Sequence, residues 1–292
     1  MTSVLVVGAT GQQGGGVISA LLGYGRTDLT IKALTRNTSS APAQTLSKKG
    51  VQLCKGDLLD RQSLLNALND VDVAYLVTDF RGPGDIEGEM KQGKQFVDVA
   101  KESGVKHIVF SSVAGADISK PVDHFYTKYL LEEYIKQSGL NWTIVRPVGF
   151  MEVLPPPGIG RFFFMSAMAS LMGDTKQKYV ACEDIGKAVA AALINPTKFS
   201  GRVVTVAGEI ANVDELQSAL EKGEGRKGWG RIWLPRWIII RLTPHHYRQM
   251  FDWLFYENCQ PGSPEETKEI VPDLLSIEAW ARKQQAERAI AS

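Results

Sequence analysis

Cysteine is scarce in this 292-residue chain, which contains only Cys54, Cys182 and Cys259. Three widely spaced cysteines are typical of neither a disulfide framework nor a zinc site, so the sequence predicts a reducing compartment. The adjacent pair His245–His246 is not a metal site either, because neighbouring side chains on a helix diverge by about 100°. We therefore expect no bound metal.

Long hydrophobic runs and an excess of charge are also missing. The most apolar segment, 232–242, is interrupted by Pro235, Arg236 and Arg241, and a membrane-spanning helix needs about 20 apolar residues. The net charge of +1 gives no electrostatic reason to expect nucleic acid or an anionic membrane as partner. A strand begins almost at Met1, so no signal peptide is expected. The prediction is a cytoplasmic protein, or a nuclear one if it is a regulator, with a small-molecule substrate as partner and a protein partner as the alternative.

Glycine, in contrast, is concentrated near the start of the chain. The apolar, β-branched run Ser3–Val7 predicts a buried parallel strand, and residues 17–22 continue with helical spacing. Between them, Gly8 permits a tight turn, Gly11 lets the backbone approach a pyrophosphate, and Gly14 allows the helix to pack closely on the strand. Strand, glycine turn and helix in this order predict a dinucleotide site at the helix N-terminus, and the alternative is a plain glycine turn.

Arg36 indicates which dinucleotide is bound. It follows the predicted strand 30–35, at the place where an NAD site usually has an acid, and Asp28 precedes the strand instead. An acid would repel a 2′-phosphate, whereas arginine can bind one through charge-assisted hydrogen bonds. We therefore predict NADP(H) as the cofactor, with a solvated surface arginine as the alternative.

Strand and helix patterns alternate through the first half of the chain. Such alternation predicts an α/β fold with a Rossmann-type doubly wound parallel sheet. We expect an NADP(H)-binding domain over 1–150 and a smaller, mostly helical cap domain over 151–292, with residues 179–206 returning to the sheet domain. The second half is rich in Met165, Met168 and Met172 and in aromatic residues, which line a pocket for a bulky apolar substrate or belong to the core. The aromatic residues are Trp229, Trp233, Trp237, Tyr247, Phe251, Trp253, Phe255 and Tyr256.

Short motifs along nearly the whole chain carry a family resemblance. They are Gly8–Gly15, Thr35–Asn37, Gly56–Asp57, Lys91–Gly93, Val109–Ser112, His124–Lys128, Trp142–Pro147, Asp184–Gly186 and Pro272–Trp280. Together they resemble the NmrA-like family of atypical short-chain dehydrogenases/reductases, whereas the glycine loop alone indicates only the superfamily. Val153 departs from the family pattern, since a polar Asn is frequent there.

The resemblance implies a role for particular residues. Arg36 would bind the 2′-phosphate, Ser111 would lie beside the nicotinamide, and Lys128 would reach its ribose. The pyrophosphate would be held by Gly8, Thr10, Gly11, Gln12, Gln13 and Gly14. Asp57 and Leu58 would border the adenine, Val77, Thr78 and Asp79 would pass under the cofactor, and Pro147, Val148, Gly149 and Phe150 would close around the nicotinamide.

The usual catalytic tyrosine is missing. Active short-chain dehydrogenases place Tyr and Lys four residues apart, so that lysine lowers the tyrosine pKa on the same helix face. Here His124 precedes Lys128 by four residues, and Tyr126 and Tyr129 are expected on other faces.

Two functions remain. One is an NADPH-dependent reductase of a bulky apolar or aromatic carbonyl, enone or quinone, with His124, Lys128 or water as proton source. The other is a non-catalytic NADP(H) redox sensor that regulates a protein partner, which the resemblance to NmrA-type regulators implies.

Overall fold

The computed structural model describes residues 2–228, 230–256 and 261–291, so Trp229 and Cys259 lie outside the described residues. The strands, in chain order, are β1 (Thr2–Val6), β2 (Leu29–Thr35), β3 (Gln52–Lys55), β4 (Val73–Val77), β5 (His107–Ser111), β6 (Asn141–Pro147), β7 (Gly149–Phe150), β8 (Gln177–Val180), β9 (Arg202–Val206) and β10 (Ile210–Ala211). The α-helices are α1 (Gln12–Gly23), α2 (Ala41–Lys48), α3 (Arg61–Leu68), α4 (Asp85–Glu102), α5 (Asp123–Gln137), α6 (Ile159–Met172), α7 (Cys182–Ile194), α8 (Pro196–Phe199), α9 (Val213–Glu224), α10 (Arg236–Leu242), α11 (His245–Tyr256), α12 (Pro264–Lys268) and α13 (Ile277–Ala291).

A seven-stranded parallel sheet is the centre of the described structure. Its strand order is β3-β2-β1-β4-β5-β6-β9, so the chain winds outwards in one direction from β1 to β3 and in the other from β4 to β9. This confirms the predicted doubly wound fold. Ligands of such sheets bind beyond the carboxyl ends of the strands where the winding reverses, which is between β1 and β4.

The sheet is buried on both faces, as the apolar runs of its strands predict. In β1, Val4 and Val6 point into one hydrophobic cluster, which includes residues of α1 and α7, while Leu5 points into another with residues of α3, α4 and α5. Alternate residues of a strand face opposite sides, so an uninterrupted apolar run is the pattern of a strand covered twice.

The chain after 151 contributes to both the sheet and a separate helical region. Strand β9 pairs with β6 at the edge of the parallel sheet, and a small second sheet has the order β10-β8-β7. Helices α6, α9 and α13 pack around a third hydrophobic cluster, which contains buried Met165, Met172 and Trp280. These two methionines are therefore core residues. The division of the chain at residue 150 stays a prediction.

One helix is longer than its sequence pattern predicts. The apolar spacing indicates a helix over 91–103, but α4 begins at Asp85. Its first turn contains Asp85 and Glu87 beside Ile86 and is preceded by Gly84 with a φ of +83°, so polar residues and glycine obscure the apolar spacing there. The extra turns carry Glu89, which is fully buried.

Candidate functional site

The glycine loop has the close packing that a pyrophosphate cradle needs. Gly8 has a φ of +65°, which favours glycine, and a Cβ there would lie 2.8 Å from the Val77 side chain. A Cβ on Gly14 would lie 2.2 Å from the Gly8 carbonyl oxygen, so only glycine lets α1 start this close to β1. Helix α1 begins after Gly11, and among the described residues no side chain caps it. The free amides of its first turn therefore fit a phosphate group.

Arg36 lies at the carboxyl end of β2 and is exposed. Within the described ranges, no hydrogen bond or ion pair involves its guanidinium. Asp28, the acid nearest in sequence, is paired with Arg26 at 2.6 Å beyond the amino end of the same strand. Arg36 is thus an available cation at the correct edge of the sheet, and it fits the 2′-phosphate of NADP(H).

The loop after β3 is held by its own hydrogen bonds. The Asp57 amide donates to Ser63 Oγ at 3.0 Å, and an Asp57 carboxylate oxygen accepts from the Leu59 amide at 2.8 Å. The Leu58 carbonyl accepts a hydrogen bond from the Gln95 side chain at 2.9 Å. These contacts fix the backbone where the adenine would lie, and the roles of Asp57 and Leu58 towards adenine stay predictions.

Gln13 and Ser111 connect the glycine loop with the end of β5. Ser111 Oγ donates a hydrogen bond to Gln13 Oε1 at 2.7 Å, and the Tyr75 hydroxyl lies 3.4 Å from the same oxygen. Burial raises the pKa of Tyr75, which keeps its phenol protonated. The start of α1 is thereby fixed against the two central strands beyond which the nicotinamide would lie.

Lys128 is held by a buried ion pair. Its Nζ lies 2.8 Å from Glu89 Oε1 and donates to the carbonyl and hydroxyl of Thr78 at 2.7 and 2.8 Å. Thr78 Oγ1 donates to Glu89 Oε1 at 2.9 Å, which closes a three-residue network. Glu89 is fully buried, and the Lys128 side chain is 12% exposed. Lys128 is therefore fixed in place at the carboxyl end of β4.

Glu89 was not singled out from the sequence, although a signal exists. It lies three and four residues before Gln92 and Gly93, and so on the same buried face of α4 as Phe96 and Val97. A charged residue on an otherwise buried face needs a countercharge. If the pattern of buried positions at 92, 93, 96 and 97 is continued towards the N-terminus of the helix, Glu89 falls on the same face.

His124 is buried in a cluster of aromatic rings. Its imidazole stacks on Phe80 with centroids 4.6 Å apart and meets Phe125 edge-on at 4.7 Å. Burial, with smaller contributions from nearby His246 and Lys128, lowers the pKa of His124 to about 4. The imidazole is therefore neutral near pH 7. Within the described chain, its Nδ1 has no hydrogen-bond partner.

Helix α11 covers this cluster. The rings of His246 and Tyr247 lie 6.3 and 6.4 Å from that of His124, and Gln249 Nε2 donates to Asp123 at 3.1 Å. Near the other end of α11, Trp253 meets Phe125 edge-on at 5.9 Å. Phe80, His124, His246 and Tyr247, which we call the ring wall, thus border the end of β4 next to Lys128. The proximity of Phe80 and His246 could not be predicted from the sequence, because the two residues are far apart in the chain.

The predicted nicotinamide end is formed where β6 passes into β7. The Val148 amide donates to the Val206 carbonyl at 3.1 Å, and a Cβ on Gly149 would lie 3.1 Å from the Lys178 carbonyl oxygen. Pro147 is buried and Phe150 packs partly against the sheet.

Two further positions named in the sequence analysis lie near the surface. Asp79 pairs with Arg81 at 2.9 Å. Val153, the departure from the family pattern, is 56% exposed.

Three expected absences can be compared with the described residues. Tyr126 and Tyr129 lie beside each other, with ring centroids 5.8 Å apart, and among the described residues neither hydroxyl is hydrogen-bonded to the Lys128 ammonium. In the described ranges, no three His, Cys, Asp or Glu side chains form a group that could hold a metal ion. None of the helices there is long and apolar enough to cross a bilayer.

The parallel sheet and its glycine loop define a Rossmann-type dinucleotide-binding protein. The model of the NmrA-like family matches residues 1–258, and the chain belongs to this family. The NmrA-like family domain-containing oxidoreductase malD of Malbranchea aurantiaca is 25% identical, over 98% of this chain and 90% of that protein.

Solved structures share the fold over nearly the whole chain. The NADPH-dependent quinone oxidoreductase QOR2 of Escherichia coli, complexed with NADPH, superposes with a TM-score of 0.76 at 22% identity and covers 96% of this chain and 99% of that one. The negative transcriptional regulator NmrA, in complex with NADP, has a TM-score of 0.76 at 20% identity, with 99% and 97% covered. The predicted cofactor is therefore one that proteins of this fold bind.

Proposed function

We propose that the protein is an NADPH-dependent reductase of an extended apolar or aromatic carbonyl, enone or quinone. The observation that carries the proposal is the ring wall, which lies beside Lys128 at the carboxyl edge of the sheet. Flat rings pack well on aromatic side chains, in stacked or edge-on arrangements. The malD relative is named an oxidoreductase and QOR2 a quinone oxidoreductase, which supports the same class.

Three parts of NADP(H), the pyrophosphate, the 2′-phosphate and the nicotinamide ribose, each have a candidate group in the proposed site. Gly8, Gly11 and Gly14 form a cradle that a Cβ would fill, and Arg36, which pairs with no acid among the described residues, offers a cation for the 2′-phosphate. When bound, the cofactor supplies hydride from its nicotinamide. Ser111 is hydrogen-bonded to Gln13 at the edge of the proposed site, and Lys128, held at the end of β4, would reach the ribose hydroxyls.

Lys128 and His124 are the candidate proton donors. The ammonium of Lys128 is held at a fixed position by Glu89 and Thr78, and it would exchange one of these three contacts for the substrate oxygen. His124 is neutral near pH 7 because its pKa is about 4, so little imidazolium is present to act as an acid. We therefore assign the proton transfer to Lys128 and the packing of the substrate ring to His124, with water as the other proton source.

A single-turnover assay tests the proposal. Protein loaded with NADPH is mixed with a panel of quinones, enones and aryl carbonyls, and absorbance at the nicotinamide band is followed. Oxidation of NADPH is expected with at least one flat aromatic acceptor. Lys128→Met is expected to slow this oxidation. His124→Leu is expected to raise the acceptor concentration at which the rate is half-maximal. Tight NADPH binding without oxidation by any acceptor would sink the reductase proposal for these classes.

One observation favours the second candidate, an NADP(H) redox sensor. Lys128 is already engaged by Glu89 and Thr78, and the catalytic tyrosine is absent from its usual position. The fold likeness to the regulator NmrA supports it. A sensor requires the oxidised and reduced cofactors to affect the protein differently. Hydrogen exchange of α11 is expected to differ between NADP⁺ and NADPH for a sensor, and equal protection in both states contradicts it.

A further inference from the structure

Residues 230–242, which we call the tryptophan strap, expose several large apolar side chains at once. Trp233 is 71% exposed, Trp237 69%, Leu242 77% and Ile232 52%. Single exposed apolar residues are ordinary on protein surfaces, but contiguous ones mark a surface that binds something. Neither the cofactor site nor the ring wall uses these four residues.

The strap is held along helix α6. The amides of Ile232 and Leu234 donate to Ser166 Oγ and Ser170 Oγ, both at 3.1 Å, and Arg236 Nε donates to the Leu171 carbonyl at 3.0 Å. The backbone is thus bonded to α6 while the tryptophans face outwards.

Helix α6 extends the apolar surface. Its residues Ile159 and Phe163, one turn apart, are 62% and 60% exposed. Phe163 lies three residues before Ser166, which binds the start of the strap. The exposed surface is therefore shared by two neighbouring elements, and it is broader than one short helix.

The charge of this region differs sharply from that of the whole chain. Residues 225–251 contain six Lys and Arg and no Asp or Glu, whereas the rest of the chain has 27 basic against 32 acidic residues. Arg231 and Arg236 pair with Asp214 and Asp252 of other helices. Lys227 and Arg241 are exposed, and in the described part of the chain neither forms an ion pair. The net charge of +1, from which no membrane partner is predicted, conceals this uneven distribution of basic and acidic residues along the chain.

This composition distinguishes between occupants of the surface. Tryptophan with flanking arginine and lysine is the combination that enters the headgroup region of a bilayer, with the rings buried and the cations at the phosphates. Basic residues near an anionic leaflet are attracted to its surface. A second copy packed face to face would oppose cation to cation. Nucleic acid would use the cations but leave Ile232, Leu242 and Phe163 in water.

We propose that the tryptophan strap binds the surface of a bilayer containing anionic phospholipid. Trp233 and Trp237 enter the interface, and Lys227 and Arg241 contact the headgroup phosphates. The protein is then peripheral, held at the surface by helix α6 and the strap. The proposal is independent of whether the nucleotide site is catalytic.

Vesicle flotation with the full chain tests the proposal. The protein is mixed with phosphatidylcholine vesicles containing or lacking 30 mol% phosphatidylserine, a composition chosen as about that of an anionic leaflet. Binding is expected only with phosphatidylserine, and it is expected to weaken as salt is raised. Trp233→Ser/Trp237→Ser is expected to lower the bound fraction at least about ten-fold, since the apolar area that enters the interface is lost. Lys227→Glu/Arg241→Glu is expected to do the same.

Tyr24→Ser is the matched control, because Tyr24 is an exposed aromatic residue, 46% exposed, on the sheet domain. It is expected to bind vesicles like the parent. NADPH titration and light scattering accompany each variant. Absence of parent binding to anionic vesicles, or unchanged binding by the tryptophan variant, overturns the proposal. A parent dimer that the tryptophan variant converts to monomer, without vesicle binding, overturns it in favour of a second copy.

Discussion

At the scale of single residues, the partners of a side chain decide its chemistry as much as its type does. Lys128 was predicted from its motif, but its fixed position depends on Glu89, 39 positions earlier in the chain, as well as on Thr78. Gly8, Gly14 and Arg36 could be predicted because their roles depend on local backbone and on one position after a strand. Phe80, His246 and Glu89 could not be placed the same way, because only the tertiary fold brings them to His124 and Lys128.

The Glu89–Lys128 pair is expected to stabilise the fold. Glu89→Gln leaves the ammonium without its buried countercharge, which is expected to lower the free energy of unfolding by about 3 kcal/mol. Urea denaturation measures this, and Glu89→Gln/Lys128→Met is expected to recover part of the loss because the isolated charge is gone. Glu102→Gln, which breaks the exposed pair with Arg61, is the control and is expected to cost about 0.5 kcal/mol or less. Equal losses at the two sites would contradict the interpretation.

Arg36 is expected to determine the preference for NADPH. Arg36→Ala removes charge-assisted hydrogen bonds of about 1.5–3 kcal/mol, so NADPH affinity is expected to fall roughly 10- to 100-fold. NADH affinity is expected to stay nearly the same, because NADH has no 2′-phosphate. Fluorescence titration with both cofactors measures the ratio, with Arg61→Ala as a surface control. A parent protein that binds NADH as tightly as NADPH would contradict the assignment.

Burial of His124 makes stability depend on pH. Its pKa of about 4 in the folded chain lies below the ordinary value of 6.5, so the unfolded chain binds more protons between these values. The contribution of His124 to the free energy of unfolding is therefore fully present above about pH 6.5. It is lost as the pH falls towards 4, by about 3 kcal/mol at most. His107, whose pKa burial also lowers to about 4, acts in the same direction. Denaturation midpoints between pH 8 and 4 measure the slope, and His124→Phe is expected to flatten it; an unchanged slope would rule out this origin.

At the scale of elements, glycine sets how closely helices approach. A Cβ on Gly186 of α7 would lie 2.3 Å from the backbone of Gly16 in α1, and a Cβ on Gly16 would lie 2.6 Å from the Cys182 carbonyl oxygen. The sequence motifs Gly8–Gly15 and Asp184–Gly186 end next to or within this contact, but they did not predict it, because Gly16 lies one residue beyond the first motif. Periodicity shows which face of a helix is buried, and it does not show which other helix covers it.

Two alanine substitutions in the same helix are expected to have opposite effects. Gly16→Ala forces α1 and α7 apart and is expected to cost about 1–3 kcal/mol of stability. Gly23→Ala meets nothing within 4 Å in the described structure and is expected to gain up to about 1 kcal/mol, because alanine favours the helix. Thermal denaturation of both variants measures the difference. Similar effects at both positions would show that α1 and α7 are not in tight contact.

At the scale of the whole molecule, the order of the strands places the site. The winding reverses between β1 and β4, and the glycine loop, Ser111 and Lys128 all lie at the carboxyl edge of the strands around that point. The doubly wound sheet was predictable because its strands are apolar and alternate with helices. The cover of the site by α11 was not, since its aromatic residues could equally have been internal core of the second half.

Cofactor binding is expected to stabilise the whole molecule. A ligand at 100 times its Kd adds about 2.7 kcal/mol to the folded state, which raises the Tm of a chain of this size by about 4 °C. Differential scanning fluorimetry with NADPH measures the shift. Arg36→Ala at the same NADPH concentration is expected to show a smaller rise, and a rise equal to the parent's would mean that Arg36 does not contact the cofactor.

The contact between α1 and α7 has a consequence for biosynthesis. During translation the glycine loop and α1 leave the ribosome before residues 182–194, which form the helix that packs against α1, and before the edge strand β9 at 202–206. Until those residues emerge, Val17, Ile18 and Leu21 lack part of the apolar surface that buries them. A nascent chain that ends before α7 therefore exposes apolar side chains of α1, which favours aggregation. All of the predicted nucleotide-site residues are therefore made before the helix that packs against α1.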